Sequence, residues 1–139
     1  MIYQEEVNIS TTGENDIINL TELVENIVKK SRIRIGMVNI FIPGSTGAIT
    51  TMEYEPGLKK DLAEALARIA PREIPYEHHK RWGDDNGRSH VKASIIGPSL
   101  TVPIKNNKLY LGTWQQIVFL ELDTRPRNRR LIITIFGEE

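Results

Sequence analysis

Residues 99–123 read SLTVPIKNNKLYLGTWQQIVFLELD. Leu100, Val102 and Ile104 alternate with Thr101, Pro103 and Lys105, the period of a strand with one face buried. Asn106-Asn107 follows, and asparagine tolerates positive φ better than most residues, so a two-residue hairpin turn is expected there. KLYLG and QQIVFLEL continue as strands. DTRPRN (123–128) supplies a second reversal before RRLIITIFG (129–137). Consecutive strands joined by short turns build an antiparallel sheet.

Working outward, the spacing predicts further elements. IYQEEVNI (2–9) alternates loosely and reads as a first strand. Leu20, Leu23, Val24, Ile27 and Val28 form one apolar face of a helix, with Asn19 as N-cap, Glu22 as its capping-box partner, and Lys29 and Lys30 in the last turn. GMVNIFIP and GAITTMEY read as strands around the small turn Pro43-Gly44-Ser45-Thr46. A second helix is expected from Leu58 to Ile69, stopped by Pro71. Residues 71–88 have no periodicity and read as a long functional loop, and SHVKASIIG (89–97) reads as a strand. Residues 1–139 are expected to form a single α+β domain, largely antiparallel sheet with two main helices on one side.

Composition narrows the function classes. Eighteen Lys and Arg balance eighteen Asp and Glu, so the basic excess of a nucleic-acid binder is missing. The absence of cysteine excludes disulfides, a thiolate nucleophile and thiolate-ligated metal. No apolar run approaches the ~20 residues that span a bilayer, and MIYQEEVNIS does not resemble a signal peptide. A cytoplasmic protein without nucleic-acid or membrane partners is expected.

All three histidines lie in YEHHKRWGDDNGRSH (76–90). His78 and His90 bracket Asp84 and Asn86, and imidazole with carboxylate suits both divalent-metal ligation and proton transfer near neutral pH. A solvated polar loop is the competing reading, and His79 is expected to be exposed. On a strand from Ser89, His90, Lys92 and Ser94 would share one polar face, and Arg88 and Lys92 could neutralise phosphate. Ser45 and Thr46 sit in a turn able to aim backbone N–H groups at an anion, although a ligand-free hairpin explains it as well. Glu53 could face solvent or a site. Trp114 beside Gln115 suits a planar heteroaromatic ligand, against the alternative of core packing. The four arginines of RPRNRR fit a solvated turn or an anion contact.

Together these motifs resemble the YjbQ-like family, described as secondary thiamine-phosphate synthases. The resemblance runs from about residue 5 to the terminal FGE and is most specific in SLTVPIKNNKLYLGTWQQI, where Asn107 replaces the usual glycine. The 76–99 segment matches Y-x-H … D-x-N … H-x-K-A-S and selects His78, Asp84, Asn86 and His90. The family's pattern has a histidine where Gly44 stands and an asparagine where Met52 stands; Glu53 agrees. The resemblance implies a homotrimer with sites in clefts near subunit contacts and a small phosphorylated metabolite as substrate. It implies a metal-assisted transferase coupling a pyrimidine diphosphate to a thiazole phosphate. His78, His90, Glu53 and Asp84 would be catalytic, with His78 and His90 holding a divalent ion, zinc or magnesium. Asn86, Arg88, Lys92, Ser45, Thr46, Trp114 and Gln115 would bind substrate. The altered Gly44 and Met52 also admit a non-enzymatic trimeric module that binds such a metabolite.

Overall fold

The computed structural model describes residues 1–139. In chain order the elements are β1 (Ile2–Ser10), β2 (Asp16–Asn19), α1 (Thr21–Ser31), β3 (Ile35–Phe41), β4 (Gly47–Met52) and α2 (Pro56–Ile69). They continue with α3 (Glu77–Trp82), α4 (Gly87–Ile96), β5 (Ser99–Lys105), β6 (Lys108–Leu109), β7 (Gln116–Glu121) and β8 (Asn128–Glu138). The strands form two antiparallel sheets, ordered β1-β8-β3-β5-β6 and β2-β7-β4.

The α+β class holds, and its layering explains the sequence of β7. Ile117 and Phe119 face the large sheet and α1 in a core with Val24, Val38, Ile133 and Ile135. Val118 and Leu120 face the other way, packing with Leu66 of α2 and Ala93 of α4. The small sheet is thus sandwiched between the large sheet with α1 and the helices α2 and α4, so the two main helices lie on opposite sides of it and not on one side as expected. A strand buried on both faces needs a continuous apolar run, as IVFL supplies.

Several expectations are corrected. Residues 87–96 form helix α4, not a strand. Its buried stripe is Gly87, Arg88, Ser89, Lys92 and Ala93, a helical repeat written largely in polar residues. Val91 and Ile95 are exposed, so the apolar alternation of Val91, Ala93 and Ile95 mimicked a strand. His90, Lys92 and Ser94 therefore do not share a face, and Lys92 points inward. Residues 71–88 contain the short helix α3, and β2 had no expected counterpart. At α1 the N-cap is Leu20; Asn19 Oδ1 accepts from the Thr21 N–H at 3.0 Å, and no bond from Glu22 closes a capping box. Helix α2 starts at Pro56 because Glu55 caps it, accepting from Gly57 N and Leu58 N at 2.8 Å each.

Asn106 and Asn107 do make the hairpin turn, at φ 55° and 61°. No helix is long and apolar enough to cross a membrane.

Candidate functional site

Helices α3 and α4 place His78 against His90, ring centroids 4.6 Å apart and planes tilted by 37°. The two rings come from different helices, so only the fold makes them a pair. Behind them, Asp84 Oδ1 lies 3.3 Å from His78 Nδ1, a buried atom with no hydrogen bond of good geometry. With its amide turned so that both ends are satisfied, buried Asn86 donates to the two Asp84 oxygens at 2.8 and 3.1 Å. Asn86 thus orients the carboxylate that faces His78.

Burial pushes the His90 imidazole below its ordinary value, and the adjacent His78 ring adds to this; Asp84 and Asp123 pull the other way. His90 is thus biased toward the neutral form, beside a second imidazole with which it can share proton-transfer work.

His79 is half-buried, tilted against the Tyr76 ring at 5.3 Å, and its Nε2 accepts from the Gly87 N–H at 3.4 Å. It ties α3 to the start of α4 and is not the exposed residue expected.

Arg88 and Lys92 are the most buried of the expected site residues, at 4% and 2% exposure. Arg88 grips Glu14 with Nε at 2.9 Å and Nη2 at 2.8 Å, and Lys92 Nζ donates to the same carboxylate at 3.4 Å. Hydrogen bonds from Arg88 hold Glu14 below the usual carboxylate range, against burial. These cations anchor the loop before β2 to α4; within the chain they are turned away from the histidines' solvent side.

Thr46 is buried and donates to Asp123 Oδ2 at 3.0 Å, while Ser45 is exposed beside it. Glu53 and Trp114 lie at the other end of β4, lining a cleft of about 410 Å³ with Tyr54 and Glu55. Trp114 is 72% exposed, so it is not core. Gln115 spends its amide on its own loop and on β4, accepting from Gly112 N at 2.8 Å and donating to Thr51 Oγ1 at 3.4 Å. At roughly 3.3 Å per residue, the length of β4 separates this cleft from the histidines' end by more than 15 Å or so. One chain therefore divides the expected site in two.

The donor set also bears on metal. No three His, Asp or Glu side chains converge in the chain, and a catalytic zinc takes three protein ligands. Two imidazoles fall one short. Sequence reasoning also missed Glu14, Glu121 and Asp123, while Arg129 is one of the four arginines read as a solvated turn or an anion contact. Glu121 and Asp123 had a legible signal: carboxylates at the end of a run buried on both faces have to find a buried partner.

Two stacked antiparallel sheets, with an imidazole pair held by helices on the small sheet's outer side, define the class of protein. The chain belongs to the UPF0047 protein YjbQ-like family, whose model matches residues 5–138. It is 37% identical over 137 residues to a UPF0047 protein of Methanothermobacter thermautotrophicus, covering 99% of this chain and 94% of that protein. It is 34% identical to the UPF0047 protein YugU of Bacillus subtilis, covering 94% of this chain and 97% of that one. A crystal structure of a YbjQ-like protein of unknown function from Sulfolobus solfataricus superposes with a TM-score of 0.93 at 32% identity, covering 99% of each chain.

Proposed function

We propose that this protein is a transferase of the thiamine-phosphate synthase type, acting on small phosphorylated heterocycles at a site centred on His78 and His90. The observation that carries the reading is the imidazole pair at 4.6 Å with Asp84 behind it. In such a coupling a C–O bond to diphosphate breaks, a C–N bond to the thiazole nitrogen forms, and pyrophosphate leaves. His90 and His78 would manage protons on the leaving group and on the pyrimidine, and Asp84 would fix the His78 ring. Any zinc or magnesium would take its remaining ligands from a neighbouring copy or from substrate phosphates.

The reading includes assembly into a homotrimer, in which Glu53 and Trp114 of one copy reach the histidines of the next. Support comes from the outer face of the large sheet. Ile2, Phe136, Met37 and Pro103 form one exposed row across four strands, and Gln4, Thr134, Asn39 and Thr101 form the next. Neither row contains a charge, as suits a surface covered by protein.

The test is a coupling assay on purified protein, with and without divalent ion, alongside His90→Ala. Turnover that falls by about 100-fold in the variant is expected for loss of a general acid or base. A wild-type rate of zero, or a variant rate equal to wild type, overturns the reading. One observation favours the alternative of a binding module: Glu14 already occupies Arg88 and Lys92. Ligand-dependent thermal shifts without turnover would select it.

A further inference from the structure

Behind the turn at residues 43–46 lies a buried guanidinium with one edge unused. Arg129 is 9% exposed. Its Nε donates to Glu121 Oε1 at 2.8 Å, and its Nη2 donates to Glu121 Oε2 and, at 2.9 Å, to Thr46 Oγ1. Nη1 makes no hydrogen bond in the chain. Nη1 keeps contact with solvent, so this edge is open to a ligand.

That edge is uncovered at Gly44, where a Cβ would lie 3.1 Å from Arg129 Nη1; at Gly47 the corresponding space is filled by the Phe119 ring, 2.6 Å from where a Cβ would stand. Above them opens a notch of about 160 Å³ lined by Gly44, Ser45, Gly47, Ala93, Ser94 and Pro98. At about 30 Å³ per water, it has room for a tetrahedral oxyanion and little more. The backbone N–H groups of Ser45, which lines the notch, and of Thr46, next in the chain, make no hydrogen bond within the chain. The carboxylates nearby are already spent: Glu121 on Arg129 and Thr11, and Asp123 on Arg127 and Thr46.

We propose that this notch is a phosphate subsite, in which Arg129 Nη1 and the Ser45 and Thr46 amides are the donors and Gly44 is the residue that admits the ligand. A guanidinium edge and consecutive amides are the donors that phosphoryl oxygens take best. Ser94, in the notch wall, is one helical turn beyond His90 on α4, so a phosphoryl group held here would leave the rest of a metabolite beside the imidazoles. This last placement rests on the function proposed above; the anion site itself does not.

The experiment is titration with inorganic phosphate at low ionic strength, read by calorimetry and by phosphorus NMR, on wild type, Gly44→Ala and Ser45→Pro. Wild type should bind saturably, with acetate a poor competitor. Gly44→Ala should weaken phosphate at least tenfold, because its methyl, 3.1 Å from Nη1, takes the position an accepting oxygen needs. The guanidinium has to give by a few tenths of an ångström, so the melting temperature is measured alongside, and Ser45→Pro reads the site without that contact. Ser45→Pro deletes one donor and should weaken binding severalfold. Absence of saturable wild-type binding, or an affinity indifferent to Gly44→Ala, overturns the subsite. Turnover that depends on His90 together with such indifference would sink the subsite alone; Gly44-dependent phosphate binding without turnover would sink the enzymatic reading alone.

Discussion

His90 is where environment most directly sets chemistry. Its folded pKa lies below the ordinary 6.5, chiefly through burial and then through the neighbouring imidazole of His78. Between that lowered value and 6.5 the unfolded chain binds more protons than the native one, so stability rises with pH across the window and declines as pH falls below 6.5. Glu14, held below its usual range by Arg88, acts in the same direction lower down: its contribution is present above 4.5 and is lost as pH drops through its folded value. We expect an NMR titration of the His90 ring to show a midpoint under 6.5, and His78→Ala to raise it by admitting water and removing the neighbouring ring that lowers it. A midpoint at or above 6.5 in wild type would contradict the assignment. His78 and His90 stood out as two imidazoles with carboxylates between them, and it was the family pattern that selected Asp84 and Asn86 with them. Arg88 and Lys92 were misread because a cation's spacing carries no information about which way it points.

At the level of elements, the β5–β6 hairpin does more than reverse the chain. Asn107 Nδ2 donates to Val28 O at 3.0 Å, in the last turn of α1, and to Ile33 O at 2.7 Å, just past its C-cap. Asparagine here is therefore more than a positive-φ substitute for glycine. Asn107→Gly should keep the turn yet lower stability by about 1–2 kcal/mol through two lost hydrogen bonds, with faster amide exchange in the last turn of α1. Asn106→Gly, whose side chain makes no such bonds, should be neutral or mildly stabilising. Urea denaturation decides this, and equal stabilities would show the staple to be idle. The contrast between α1 and α4 explains the uneven legibility of the elements. The inner face of α1 is aliphatic, so its 3.6-residue period is plain, whereas α4 buries Arg88, Ser89 and Lys92 and exposes Val91 and Ile95. Hydrophobic periodicity reports burial only where the buried residues are apolar.

For the whole molecule, the uncharged outer rows of the large sheet carry the proposed assembly. Met37 sits between Phe136 and Pro103 at their centre, so Met37→Glu should convert a three-chain species to single chains by light scattering, with the fold retained. A wild-type protein that is already monomeric would remove the basis for a shared site. On its own, the sequence determined the strand alternation, the two longer helices, the asparagine turn and the α+β class, because each follows from local spacing and from backbone preferences of nearby residues. Only the tertiary structure decided the rest. It split the strands into two sheets, wrote α4 as a helix, stacked His78 on His90, consumed Arg88 and Lys92 on Glu14, and carried Glu53 and Trp114 to the far end of β4. Those outcomes depend on which buried charge finds which partner across 74 or more residues of chain, and one-dimensional periodicity holds no record of such pairings.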